Sequence, residues 1–179
     1  MALDPVVHEA LRCSLALLFA AAAFHKLRDL PAFAATLGDY RLLPRAAGRP
    51  ASVAVVAAEA AAAGALLLDL TPLGPALACT LLALYAGAIG WNLARGRRHI
   101  DCGCTGPLGR RQTLAPWLLW RNAVLCGAAL LLLVDTASRA VSWLDAPALL
   151  GSVAFLALLW NAIPRLGAVA GAAPPGRPA

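Results

Sequence analysis

The stretch Leu73-Gly-Pro-Ala-Leu-Ala-Cys-Thr-Leu-Leu-Ala-Leu-Tyr-Ala-Gly-Ala-Ile-Gly-Trp-Asn-Leu-Ala-Arg95 carries no charge until its last residue. A helix needs roughly 20 apolar residues to cross about 30 Å of hydrocarbon, and this segment has that length. Comparable apolar segments recur along the 179 residues, of which 61% are hydrophobic and only 13% charged, with a mean hydropathy of +0.73. Soluble domains carry about 25% charge. Alanine and leucine dominate the segments, which favours helices over the short alternating strands of a barrel. The expectation is an all-α integral membrane protein.

Working outward, one transmembrane helical domain is expected over 1–166, with spans at about 5–27, 51–70, 73–95, 115–135 and 147–163, and a disordered tail over 167–179. The apolar run Cys13 to Phe24 also has the length of a signal-peptide core, but Asp4 and Glu9 precede it with only Arg12 as a cation, so a span is the better reading. Between the first two spans, Leu30, Phe33, Ala34 and Leu37 have helical spacing and Gly38 is a stop, which reads as a short interfacial helix. Ala57, Ala60, Ala61 and Gly64 give the second span a small-residue face that a neighbouring helix can approach closely.

The net charge of +6 does not point to nucleic acid, because the arginines lie between the apolar segments instead of forming one basic domain. They read as topology signals and contacts to lipid headgroups. Lys26, Arg28, Arg41, Arg45, Arg49, Arg95, Arg97, Arg98, Arg110, Arg111, Arg165 and Arg177 share one side, twelve of the fifteen cations. Positive-inside bias then places the amino terminus outside and the loop after Arg95 in the cytoplasm.

That loop holds Cys102-Gly-Cys104, the only close cysteine pair among five cysteines. A disulfide across one residue closes a very small ring in a geometry away from the relaxed one, so it is comparatively easy to reduce. Gly103 supplies the backbone freedom that ring needs. His99, Arg97, Arg98, Arg110 and Arg111 favour thiolate, the nucleophile in exchange. Cys102 and Cys104 are therefore the candidate catalytic pair. The plainer alternative is a glycine turn with idle or permanently bonded cysteines. Zinc on His99, Cys102 and Cys104 is a weaker alternative, since a structural site normally takes four ligands and no second pair is present. No metal is assigned.

Ionisable groups inside a bilayer are costly and normally face a partner in the bundle. Glu59 and Arg121 lie at similar depths in their spans, which predicts a Glu59–Arg121 contact with Asn92 and Asn122 beside it. His25 and Lys26 complete a supporting polar cluster below the cysteine loop; the alternative is that these groups only fix helix register. Cys13, Cys79 and Cys126 read first as small apolar side chains, with Cys79 and Cys126 as a candidate relay across the membrane.

His25-Lys-Leu27, the segment Phe33 to Pro44 ending Tyr-Arg-Leu-Leu-Pro, Glu59, Asn92, Cys102-Gly-Cys-Thr-Gly106 and Arg121-Asn122 together resemble the MauE family. These are methylamine utilisation membrane proteins grouped with the DoxX-like redox-associated proteins. The resemblance covers about residues 5 to 135 and departs at Thr105, where the family usually has Phe. It implies a DoxX-like four-helix transmembrane bundle, here with a fifth C-terminal helix, in the bacterial inner membrane. It further implies a role in maturing a disulfide-containing exported protein, the methylamine dehydrogenase small subunit, with a thioredoxin-like partner. No cofactor is required, and a quinone in the bundle is the one the reading leaves open. A non-catalytic scaffold that recruits a redox enzyme is the competing reading. An exported substrate calls for a periplasmic exchange site, whereas the charge count puts the thiols inside.

Overall fold

The computed structural model describes residues 2–100, 114–139 and 142–170, the last segment with side chains to residue 158. Among these residues six α-helices follow one another: α1 Pro5–Arg28, α2 Leu30–Asp39, α3 Gly48–Leu67, α4 Leu73–Ala94, α5 Trp117–Leu131 and α6 Ala146–Ala170. No strand occurs among the described residues; the only sheet-like pairing is an isolated bridge between Leu3 and Thr136. α1, α3 and α4 are long and apolar enough to cross a membrane, and two shorter apolar helices accompany them. The chain is an all-helical membrane protein. Its exposed large side chains are Leu17, Phe24, Val53, Leu84, Trp120 and others of that kind, which suits a surface facing lipid.

Local chemistry sets the helix ends. Asp4 caps α1 by accepting from the Val6 amide at 2.8 Å, Pro5 opens the helix, and His25, Lys26 and Arg28 occupy its last turn, where the helix dipole favours cations. Asp29 stops α1 and starts α2, accepting from the Ala32 amide at 3.0 Å. α3 and α4 form a hairpin through a turn in which Asp69 has φ 53°, a left-handed conformation that aspartate tolerates better than most residues. Arg12 of α1 closes this end by donating to the carbonyls of Leu66 and Leu67, both at 3.0 Å, two of the acceptors that a helix C-terminus leaves unpaired. Gly74 fits where α4 leaves the turn: a Cβ there would stand 3.1 Å from the backbone of Ala65 and Leu66, atoms that cannot rotate away.

The core is a seam of small and branched residues: Leu15, Ala16 and Phe19 of α1, Ala62, Ala63 and Leu66 of α3, Ala78, Leu81 and Leu82 of α4, and Ala129 of α5. Alanine at so many of these positions lets the backbones approach closely, which is how helices gain contact energy in lipid. α1 packs on α3, α3 on α4, α4 on α5, and α6 on the outside of α1.

Backbone bonds from the Leu3 amide to Asp135 at 2.9 Å, and from the Ala137 amide to Leu3 at 2.8 Å, tie the amino terminus to the end of α5. The amino terminus, the α3–α4 turn and the end of α5 therefore share one end of the bundle. The α1–α2–α3 connection and the two stems of the cysteine loop share the other.

Two helices differ from the expected spans. α5 starts only at Trp117 and stops at Leu131, shorter than the stretch 115–135, because Val134 and Asp135 turn off to meet Leu3. α6 continues past Pro164 to Ala170; a proline removes one amide donor without necessarily ending a helix. Of the tail 167–179, residues 167–170 are thus helical and the remainder lies outside the described residues.

Before α6, Ser142, Asp145 and Arg139 form an exposed clasp that also reaches Asp4, with Arg139 3.1 Å from Asp145 and 3.4 Å from Asp4. The Ser142 amide, 2.9 Å from Asp145 Oδ2, and then Arg139 hold the Asp145 carboxyl below its usual range. A carboxyl with a depressed folded pKa contributes stability above its unfolded value of about 3.9, and loses it as pH falls through the folded value. The emission of neighbouring Trp143 should therefore change on acidification below about pH 4, and Asp145→Asn should abolish that transition.

Candidate functional site: a buried ion pair beneath the cysteine loop

Three helices converge on one carboxylate oxygen. Lys26, two residues from the end of α1, donates from Nζ to Glu59 Oε1 of α3. The Tyr85 hydroxyl of α4 donates to the same oxygen at 2.6 Å, and Nζ lies 3.4 Å from that hydroxyl. Lys26 is 6% exposed and Glu59 0%. The ammonium also sits 5.1 Å from the ring centroids of both Phe33, on α2, and Tyr85, so two aromatic faces help replace its lost hydration. Glu59 Oε2 is buried with no hydrogen-bond partner among the described residues. A desolvated charge survives only when paired and hydrogen-bonded, and this carboxylate has both through Oε1.

The partner of Glu59 is thus Lys26 and not the expected Arg121. The physical reason is helix order. α1 and α3 pack against each other and the lysine stem spans that interface, whereas α5, which carries Arg121, packs on α4 and α1. The Arg121 guanidinium lies 5.4 Å from the Trp117 ring centroid.

Asn92 and Asn122 are both buried, at 0% and 3% exposure. Asn92 Nδ2 donates to the Ala88 carbonyl at 3.0 Å, while Asn92 Oδ1 and Asn122 Nδ2 have no partner among the described residues. Gly90 of α4 approaches Leu119 of α5, and Cys79 meets Cys126, so the antiparallel register puts Asn122 close to the depth of Tyr85. His25 does not join the ion pair: its ring packs edge-on against Phe24 at 6.1 Å, and its buried Nδ1 has no partner among the described residues.

Cys102 and Cys104 lie outside the described residues, but the base of their loop does not. α4 ends at Ala94, and two residues on Gly96 has a φ of 73° that suits glycine, with the Gly96 amide on Leu93 and the Arg97 amide on Asn92, both at 3.0 Å. The Leu114 amide then donates to the Ile100 carbonyl at 3.1 Å, which closes the base into a stem on either side of the cysteine segment. Tyr40, Ile89, Leu114 and Leu118 form a buried cluster against that stem, with Ile100 and Trp117 packed on it. His99 is exposed beside it.

The family model for methylamine utilisation protein MauE matches residues 4–135. The chain belongs to the MauE family. The match runs from the cap of α1 to the end of α5 and leaves out α6, so the ion pair and the cysteine loop both fall within it. Among relatives of this MauE-family chain, the methylamine utilization protein MauE of Paracoccus denitrificans is 42% identical over 131 residues, covering 72% of this chain and 69% of that protein. The corresponding protein of Paracoccus versutus is 38% identical over 128 residues, covering 71% and 68%. That of Methylophilus methylotrophus is 34% identical over 128 residues, covering 71% and 67%. No solved structure matches the chain.

Cys13, Cys79 and Cys126 are free thiols in this MauE-family protein. Cys79 Sγ donates to the Cys126 carbonyl at 3.6 Å, which places the two cysteines side by side between α4 and α5. From Cys79 to Ala94 is fifteen residues, about 22 Å of helix, so this pair sits toward the end opposite the loop stem.

Sequence reasoning overlooked Tyr85 as a site residue. The available signal was its hydroxyl, which must find a partner when carried into an apolar span.

Proposed function

We propose that this MauE-family protein is a membrane thiol-disulfide exchange protein in which Cys102 and Cys104 trade electrons with a thioredoxin-like partner, supporting maturation of a disulfide-containing exported protein. The relatives are named for methylamine utilisation, and the substrate that reading offers is the methylamine dehydrogenase small subunit. The strained ring across Gly103 makes the loop disulfide the readily reduced member of the exchange. A partner thiolate attacks one loop sulfur, the Cys102–Cys104 bond breaks, and a mixed disulfide forms. The partner's second thiolate then resolves it, so the partner leaves oxidised and the loop becomes a dithiol, two electrons having moved. His99 and the arginines around the loop lower the cost of each thiolate.

The observation that carries this reading is the closed Ile100–Leu114 stem, seated on a buried cluster, whose two sides flank the cysteine-bearing segment in sequence. The ion pair below it holds α1, α3 and α4 in register, which steadies the platform.

The test is a trap. With the second cysteine of the thioredoxin-like partner replaced by serine, its attack on the loop disulfide cannot be resolved onward, and a mixed disulfide should accumulate on non-reducing gels with the wild-type loop and not with Cys102 and Cys104 both replaced by serine. Absence of any dithiothreitol-sensitive adduct with the wild-type loop would refute the exchange role and favour a scaffold.

A further inference from the structure

Neither the ion pair nor the loop uses Cys79 and Cys126, yet the fold brings these two free thiols together from α4 and α5. Cys79 Sγ stands 3.6 Å from the Cys126 carbonyl oxygen, and the two side chains also interact with each other. A cysteine sulfur moves about one torsion with three staggered positions. One that already touches the backbone of Cys126 is within reach of the Cys126 sulfur, since disulfide-bonded residues stand about 4.4–6.8 Å apart at Cα.

The surroundings decide what can reach the pair. Cys79 is six residues from the start of α4 at Leu73, and Cys126 five from the end of α5 at Leu131, about 9 Å and about 8 Å of helix. The thiols therefore lie inside the hydrocarbon, with Leu77 and Leu125 packed beside them against the core. Residues three or four positions away are their neighbours on each helix surface. Of those that are exposed, Ala76, Ala83 and Ala123 are small and only Leu130 is large, and a Cβ on the adjoining Gly127 would meet nothing within 4 Å. Both cysteines are accordingly only half-buried, open to lipid through a shallow gap between α4 and α5. A soluble protein cannot enter there, whereas a reactant dissolved in the membrane can.

Converting two thiols to a disulfide releases two electrons and two protons, and a charged acceptor is costly in hydrocarbon. A quinone takes up both kinds in one neutral, lipid-soluble molecule. We infer that Cys79 and Cys126 are a second dithiol–disulfide site, oxidised within the bilayer by a lipid-soluble quinone. Both S–H bonds break and one S–S bond forms, joining α4 to α5; the quinone carbonyl oxygens take the protons and the quinone, gaining both electrons, leaves as quinol. This site does not rest on the exchange role proposed for Cys102 and Cys104.

The test uses the full chain in lipid nanodiscs with Cys102 and Cys104 both replaced by serine, so that every electron counted comes from elsewhere. After reduction and removal of the reductant, decylubiquinone is added, quinol is followed by ultraviolet absorbance, and non-reducing peptide mapping locates any disulfide. One quinol per chain and a Cys79–Cys126 bond are expected, both lost when Cys79→Ala or Cys126→Ala is added. The alanine variants should keep the helical circular dichroism, because Ala78 and Ala129 already line the same seam. Prior alkylation with N-ethylmaleimide, which needs no substitution, should also abolish quinol formation. Oxidised glutathione should react at least about tenfold more slowly than the quinone, since its charges keep it out of hydrocarbon. No quinol, quinol undiminished by either alanine or by alkylation, a peptide map without the Cys79–Cys126 bond, or equally fast oxidation by glutathione would each overturn the inference.

Discussion

Lys26→Met is expected to destabilise the protein by about 3–5 kcal/mol, the usual cost of stripping one partner from a buried ion pair. Glu59 is fully buried and its Oε2 already lacks a partner, so without the ammonium its charge would rest on the Tyr85 hydroxyl alone. Removing both charges should be far milder, since a buried pair replaced by well-packed apolar residues is often neutral. Lys26→Met with Glu59→Met should therefore recover most of the loss. Tyr85→Phe, which deletes one hydrogen bond to a charged acceptor, should cost about 1.5–3 kcal/mol. Thermal unfolding followed by circular dichroism in detergent measures all four proteins. A Lys26→Met protein as stable as wild type would show that the ion pair does not hold α1, α3 and α4 together.

That pair also shows where sequence reasoning reached and where it stopped. The membrane class and the helical fold were legible because a charge-free stretch such as Leu73–Ala94 has few other uses. That Glu59 needs a partner was legible too, because the bilayer leaves a lone carboxylate little alternative. Which cation answers it was not. Depth along each span ranks Arg121 and Lys26 as rivals, and only the packing order, with α1 against α3 and α5 behind α4, selects Lys26. The same holds for Tyr85 and Phe33, which reach Lys26 from two further helices.

Replacing both Cys102 and Cys104 by serine should abolish thiol exchange altogether while leaving membrane insertion and unfolding temperature near wild type. The thiol is the nucleophile, and a serine hydroxyl cannot form or break a disulfide, so the effect on exchange is all-or-none. Stability should be spared because the bundle is closed by contacts that use neither cysteine, the Ile100–Leu114 bond and the cluster of Tyr40, Ile89 and Leu118. Exchange is measured by reduction of the loop disulfide with a thioredoxin-like protein, and the side on which it happens by a membrane-impermeant maleimide on intact cells. The cations at this end, Lys26, Arg28, Arg41, Arg49, Arg95 and Arg97 among them, predict protection from the maleimide until the membrane is permeabilised. Labelling of wild type in intact cells only after reduction, and none in the double-serine protein, would instead put the disulfide on the outer face, directly accessible to an exported substrate. Undiminished maturation of that substrate with both cysteines gone would leave the protein a scaffold, its buried ion pair serving the fold alone.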